Sequence, residues 1–116
     1  MTPLQLLTSP IRRSDLAALA EAGFGDMVKA VVDVHRGMMA IGGELHSDEE
    51  AALLDDGSDQ KNLWGINLYP AEEGADMIEY DSMINVRPSQ GNRSREVEDA
   101  GTRDAIQAIV ARLVTE

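Results

Sequence analysis

The sequence predicts an α+β fold, a single small domain in which three helices cover an antiparallel or mixed sheet of four to five strands. Its length of 116 residues fits one domain with one core. Some segments alternate apolar and polar residues as paired strands do, and others carry apolar residues at helical spacing. The expected order over residues 1–116 is β-α-ββ-α-ββ-α, with two hairpins and with the helices on one face of the sheet.

The first two elements are a short strand and a short helix. LQLL at residues 4–7 is an apolar run that stops before Pro10, which is typical of a strand at a sheet edge. Ser14 is the expected N-cap of a helix over about residues 15–22, and Gly23 is its expected end.

The first hairpin is predicted with strands near residues 27–34 and 37–42, where apolar residues recur at every second position. Val31 interrupts the otherwise polar face of the first of these strands. Asp33 favours the start of a turn because its carboxylate binds the backbone ahead of it, and Gly37 supplies a positive φ.

The second helix is expected over about residues 48–56. Ser47 and Glu50 have the spacing of a capping box, and Gly57 follows as the end of the helix. The expected buried positions are Ala52, Leu53 and Leu54.

The second hairpin is predicted from LWGINLYP, which Pro70 closes, and from the alternation over residues 77–87. The inward-facing set there is expected to be Ile78, Tyr80, Ser82, Ile84 and Val86. Asp99 is the expected N-cap of the final helix. Its apolar residues repeat at helical spacing at Ile106, Ile109, Val110, Leu113 and Val114.

The charge and the cysteine count exclude several classes of protein. Acidic residues outnumber basic ones 21 to 10, so nucleic acid is not an expected partner. With no cysteine there can be no disulfide and no thiolate metal site, and cytosolic residence is expected. The N-terminal MTPLQLLTSPIRR lacks the basic start and apolar core of a signal peptide, and no membrane partner or cofactor is expected.

The net charge of -11 suggests a protein adapted to high salt, because salt screens the repulsion among carboxylates. On this hypothesis the melting temperature rises clearly between low and molar NaCl. A melting temperature that does not respond to salt would refute the hypothesis.

The stretch INVRPSQGNRSRE, at residues 84–96, is the first candidate site. Guanidinium groups, side-chain amides and loop N–H groups occur together there, and these are the donors that hold a carboxylate or phosphate. The alternative is that the arginines clamp neighbouring carboxylates of the protein itself. The candidate ligand-binding residues are Asn85, Arg87, Gln90, Asn92, Arg93 and Arg95, for a small anionic ligand or a protein partner.

The segment GGELHSDEE is the second candidate. Glu44 and His46 are two residues apart, so on an extended segment both side chains point to one side, and Asp48 joins them if the strand continues. Such a set can ligate a divalent metal or transfer protons, which would make the protein a metal-assisted hydrolase that also uses the arginine loop. The alternative is the start of a helix with an exposed histidine.

Motifs of known enzymes are absent from the sequence. There is no GxSxG, no P-loop, no Rossmann glycine pattern and no HExxH. No catalytic residue and no metal ligand is therefore assigned, and a binding module is the leading interpretation. A subunit that associates through its apolar surface with itself or with another protein is the third.

Four segments carry a resemblance to a known family. DMVKAVVDV, AIGGELHSDEE, LWGINLYP and SMINVRPSQGNRS resemble a prokaryotic family of short proteins that is classed as a domain of unknown function. The resemblance runs from Pro10 to the last helix. It implies one intact domain and carries no activity, substrate or catalytic residue.

Overall fold

Seven strands and three α-helices follow one another along the chain in the computed structural model, which describes residues 4–116. Residues 1–3 lie outside the described part, so the start of the segment compared above with signal peptides is not described. The elements are β1 (Gln5–Leu7), β2 (Ile11–Arg12), α1 (Arg13–Ala22), β3 (Val28–Asp33), β4 (Met38–Ile41), α2 (His46–Asp55), β5 (Leu63–Leu68), β6 (Ile78–Glu79), α3 (Ala100–Leu113) and β7 (Val114–Thr115).

The main sheet has five antiparallel strands in the order β1-β4-β3-β5-β6. This confirms the predicted α+β class and places β1 at an edge, as expected. A second, parallel pair joins β2 to β7, with Ile11 opposite Val114. The sequence did not predict that pair, because two residues a strand are too few to show a period.

The helices lie on both faces of the main sheet, so the prediction of a single covered face is wrong. Ala30 and Val32 of β3 share a core with residues of α1 and α3, such as Leu16 and Ile106. Val31, between them, faces the other way and packs with Leu53 of α2. A central strand covered on both faces has no polar face, which explains why Val31 interrupts the alternation.

The hairpin turn between β3 and β4 confirms the predicted role of Asp33. Its buried carboxylate accepts hydrogen bonds from the backbone N–H groups of His35 and Arg36, both at 2.9 Å. The hydroxyl of Ser58 donates to the other carboxylate oxygen at 2.6 Å. Gly37 has a φ of 69°, as the turn requires.

Two of the three predicted N-caps are wrong. α1 begins at Arg13 and α2 at His46, and neither N-cap residue makes a side-chain hydrogen bond, so Ser14 and the pair Ser47 and Glu50 do not cap. Asp99 does cap α3, since its carboxylate accepts from the N–H of Thr102 at 2.8 Å.

The buried positions of α2 and α3 were predicted in part. Ile106, Ile109, Val110 and Leu113 are buried, as the helical spacing of α3 predicts. Leu53 is the fully buried leucine of α2, whereas Ala52 is half-buried and Leu54 is exposed, contrary to the prediction. Val114 lies beyond α3, in β7, and is half-buried. No helix within residues 4–116 has both the length and the apolarity that crossing a membrane requires.

Residues 77–87 do not form the long strand that their alternation predicts. Ile78 and Glu79 pair with β5, and the chain then leaves the sheet for a 3-10 turn at Met83–Asn85. Asn85 is fully buried and Val86 is exposed, the reverse of the prediction. The segment lies closely against β5 because residue 65 is glycine, where a Cβ would lie 2.5 Å from that of Ser82.

Candidate functional site

Asn85 and Asn92 hold the arginine loop, residues 85–95, against the sheet. Asn85 pairs with the backbone of Gly65, accepting from its N–H at 2.8 Å and donating to its carbonyl at 2.9 Å. The amide of Asn92 donates to the carbonyls of Asn85 and Glu96, both at 2.7 Å, and its oxygen accepts from the N–H of Glu98. Both side chains are buried and have a structural role.

Arg87 lies at the centre of the loop and binds backbone carbonyls. Its guanidinium donates to the carbonyls of Ile84 at 3.0 Å, Gln60 at 2.7 Å and Leu63, and it stacks over the ring of Trp64 at 4.3 Å. Burial lowers the pKa of Arg87 from its ordinary value. The expected clamp therefore exists at this residue, but it holds carbonyl oxygens where carboxylates were expected.

The other predicted residues of the loop are more exposed. Gln90 accepts from Arg87 at 3.2 Å and donates to the carbonyl of Lys61, also at 3.2 Å. Arg95 forms an ion pair with Asp81 at 2.6 Å, which is the carboxylate clamp foreseen as the alternative. The side chain of Arg93 is exposed. Ligand binding by this loop stays a prediction, for which Arg93 offers the most accessible guanidinium.

Gln90 and Asn92 also line a cavity of about 370 Å³ beside Trp64. Glu98 and Asp99 line the same cavity, where Lys61 is the one basic residue among the described lining. The carboxylates of this cavity disfavour a small anion.

Glu44 and His46 lie in different environments. His46 begins α2 and is buried, so the expectation of an exposed histidine is wrong, whereas Glu44 is exposed. The Nε2 atom of His46 is 2.8 Å from the carbonyl oxygen of Ile66. Because that oxygen can only accept, Nε2 carries the proton, and Nδ1 is the basic nitrogen of the neutral ring. Burial lowers the pKa of His46, which favours this neutral form.

A metal site does not form around His46 within the described structure. No three His, Asp or Glu side chains of residues 4–116 are grouped so that they could hold a metal ion. Arg87 contacts the carbonyl of Leu63 and His46 that of Ile66, and about 10 Å of β5 separates these two carbonyls. The metal-assisted mechanism therefore has no ligand set here, and Arg87 is already bound by carbonyls.

Glu49 is an unusual group that the sequence did not reveal. It is fully buried in the first turn of α2, where one carboxyl oxygen accepts from the N–H of Gly43 at 3.0 Å. The other oxygen is buried and has no hydrogen-bond partner within the described residues. Burial raises the pKa of Glu49 from 4.5 to about 9, so the carboxyl is protonated at neutral pH. An acidic residue near a helix start is ordinarily exposed, and this misled the sequence-based interpretation.

A cleft of about 490 Å³ lies at one end of the main sheet. The end of α1, the start of β3 and the β4–α2 connection surround it, and its apolar lining includes Leu19, Phe24, Met27 and Leu45. Phe24 and Leu45 are about half exposed at 48% and 55%, which leaves apolar surface open to a ligand. The volume falls within the range of about 300 to 1,000 Å³ that is typical of small-molecule sites.

Lys29 and Glu44 are the charged residues of this cleft. The amine of Lys29 lies 5.2 Å from the centre of the Phe24 ring. Within residues 4–116 the ion pairs are Arg13 with Glu116, Arg36 with Asp56 and Arg95 with Asp81, so neither Lys29 nor Glu44 is in one. Both charges therefore remain available to a bound molecule.

The fold and the cleft define the class, a small α+β domain with a ligand-sized cleft at one end of an antiparallel sheet. A family model described as a protein of unknown function (DUF5674) matches residues 5–113, and the chain therefore belongs to that family. This confirms the resemblance to a family of unknown function. No curated protein and no solved structure matches the chain.

Proposed function

We propose that this domain is a binding module for a small molecule that has an acidic group and an apolar body, and that the Lys29 cleft is its site. The observation that carries the proposal is the combination of an open apolar cleft with an amine that no carboxylate of the described residues neutralises. Apolar walls with a few placed polar groups are the usual composition of a ligand pocket.

The position of Lys29 supports this assignment. Its side chain is half-buried on β3, a central strand, while its amine lies over the Phe24 ring at the cleft. An amine held on a rigid element in a partly apolar setting attracts an anion more strongly than one on a mobile surface chain.

The arginine loop is less suited to a small anion. Asn85, Arg87 and Asn92 are buried with their polar atoms bound to the protein, and Glu98 and Asp99 line the adjoining cavity. An anion there would have to displace internal hydrogen bonds and approach two carboxylates. The proposed anionic ligand is therefore placed at the Lys29 cleft, and the cytosol is its proposed location because the chain has no cysteine.

The test compares acids with neutral molecules of the same apolar shape. Hexanoate and phenylacetate are titrated against hexan-1-ol and benzyl alcohol, and the backbone amide resonances of Gly42, Gly43 and Leu45 are followed by NMR. We expect the acids to bind at least about tenfold more tightly, since one charge-assisted hydrogen bond contributes about 1.5–3 kcal/mol.

The chain offers a matched control, because Lys29 and Lys61 are its two lysines. Lys29→Met keeps the apolar stem of the side chain and should remove the preference for acids. Lys61→Met should leave that preference intact. Equal binding of acids and alcohols to the unmodified protein, or loss of the preference in Lys61→Met alone, would contradict the proposal.

A further inference from the structure

We infer that the ligand of the Lys29 cleft is a zwitterion of the α-amino acid type, with its carboxylate at Lys29, its ammonium group at Glu44 and an apolar side chain between the cleft walls. The inference rests on the proposed function and extends it, since it assigns a role to the second charge of the cleft. Glu44 is then a binding residue and has no part in a metal site.

The charges of the cleft favour a zwitterion over a simple acid. The described lining contains one cationic and one anionic side chain, and its other residues are apolar or glycine. A simple carboxylate would meet Lys29 but would be repelled by Glu44 in the same cleft. A molecule with both charges satisfies both groups, and its own net charge of zero suits a chain of net charge -11.

The two charged groups come from the two sides of one hairpin. Lys29 comes from the start of β3 and Glu44 from the connection after β4, so the two sides of the β3–β4 hairpin hold the opposite charges. They do not form an ion pair with each other among residues 4–116, so each can bind a ligand group of opposite charge. The apolar surface of the cleft comes from Leu19, Met27 and the partly exposed side chains of Phe24 and Leu45.

Recognition of both charges should be specific, because a site with groups that bind a substrate amine or acid rejects analogues that lack them. The test therefore uses three molecules for each of two apolar side chains. L-Leucine is compared with 4-methylpentanoate, which lacks the ammonium group, and with 3-methylbutylamine, which lacks the carboxylate. L-Phenylalanine is compared with 3-phenylpropanoate and 2-phenylethylamine in the same way.

Calorimetric titration of the full chain should give at least tenfold tighter binding of each amino acid than of either analogue. Glu44→Gln should weaken amino-acid binding about tenfold and leave the acid analogues unchanged or tighter. Lys29→Met should weaken both the amino acids and the acids and leave the amines unchanged. Glu73→Gln, which removes an exposed carboxylate elsewhere on the surface, should change none of these affinities.

The outcomes separate this inference from the proposed function. If the acid analogues bind as tightly as the amino acids and still depend on Lys29, the zwitterion inference is overturned and the proposed function stands. If neither amino acids nor acids bind in a manner that depends on Lys29, both are overturned. Binding of the amines that depends on Glu44, without binding of acids, would also overturn both.

Discussion

Replacing Arg87 with alanine should lower the free energy of unfolding by about 3–5 kcal/mol, because each buried polar group left without a partner costs about 1–3 kcal/mol. The carbonyls of Ile84 and Leu63 would lose this donor, and Trp64 would lose the guanidinium stacked on its ring. The carbonyl of Gln60 would keep only the N–H of Leu63. Small domains are stable by only about 5–15 kcal/mol, so this loss would be a large fraction of the total stability. Urea denaturation followed by Trp64 fluorescence measures the change.

Two further variants test this explanation. Arg87→Lys asks whether the planar set of donors or the charge matters, and Arg93→Ala is the control. Arg87→Lys keeps the charge but cannot reach three carbonyls from one planar group, so it should recover a minor part of the loss. Arg93→Ala removes an exposed guanidinium of the same loop and should change stability by less than about 0.5 kcal/mol. Similar losses for Arg87→Ala and Arg93→Ala would refute the carbonyl clamp.

The parts of the fold that local chemistry determines could be predicted from the sequence. The final helix follows from apolar residues at helical spacing behind Asp99, which binds the N–H of Thr102. The first hairpin follows from Asp33, whose carboxylate binds the two N–H groups ahead of it. In both cases the partners lie within three residues along the chain, so a local pattern specifies the contact.

The errors occurred where a distant partner decides the structure. Residues 82–86 alternate as a strand does, but Asn85 binds the backbone of Gly65, 20 residues away. The burial of Glu49 depends likewise on Gly43 and on the sheet beneath α2, which no local rule reveals. In each case a polar side chain binds a backbone group outside its own element, so the local pattern does not reveal the contact.

The cleft was not predicted from the sequence, although the proximity of two of its residues could have been. An antiparallel hairpin of β3 and β4 brings residues 27–29 beside residues 42–45, so the sequence already placed Lys29 near Glu44. It gave no sign that the end of α1 would bring Phe24 to the same end of the sheet. The arginines were conspicuous because they are concentrated, yet Arg87 stabilises the fold. The accessible positive charge of the cleft comes from Lys29.

Replacing Glu49 with glutamine should stabilise the protein by about 3 kcal/mol at pH 7, where one unit of pKa shift corresponds to about 1.4 kcal/mol. In the unfolded chain the carboxyl has its ordinary pKa of 4.5, and burial raises the pKa to about 9 in the folded protein. Below pH 4.5 the carboxyl of Glu49 is protonated in both the folded and the unfolded state, so the folded protein has its full stability with respect to this group. Between pH 4.5 and about 9 the folded state alone keeps the proton, so stability falls as pH rises, and above about 9 the loss is complete.

Glutamine has nearly the same shape, can still accept from the N–H of Gly43, and stays neutral at every pH. Its advantage over glutamate should therefore be small at pH 5 and should grow steadily to pH 9. Urea denaturation of both proteins at pH 5, 7 and 9 measures this difference, in which the titration of all other groups cancels.

Glu21→Gln, on the exposed face of α1, is the matched control and should show no such growth. A difference between Glu49→Gln and the unmodified protein that is constant from pH 5 to pH 9 would show that Glu49 is ionised in both states, since a slope requires a change of protonation on folding.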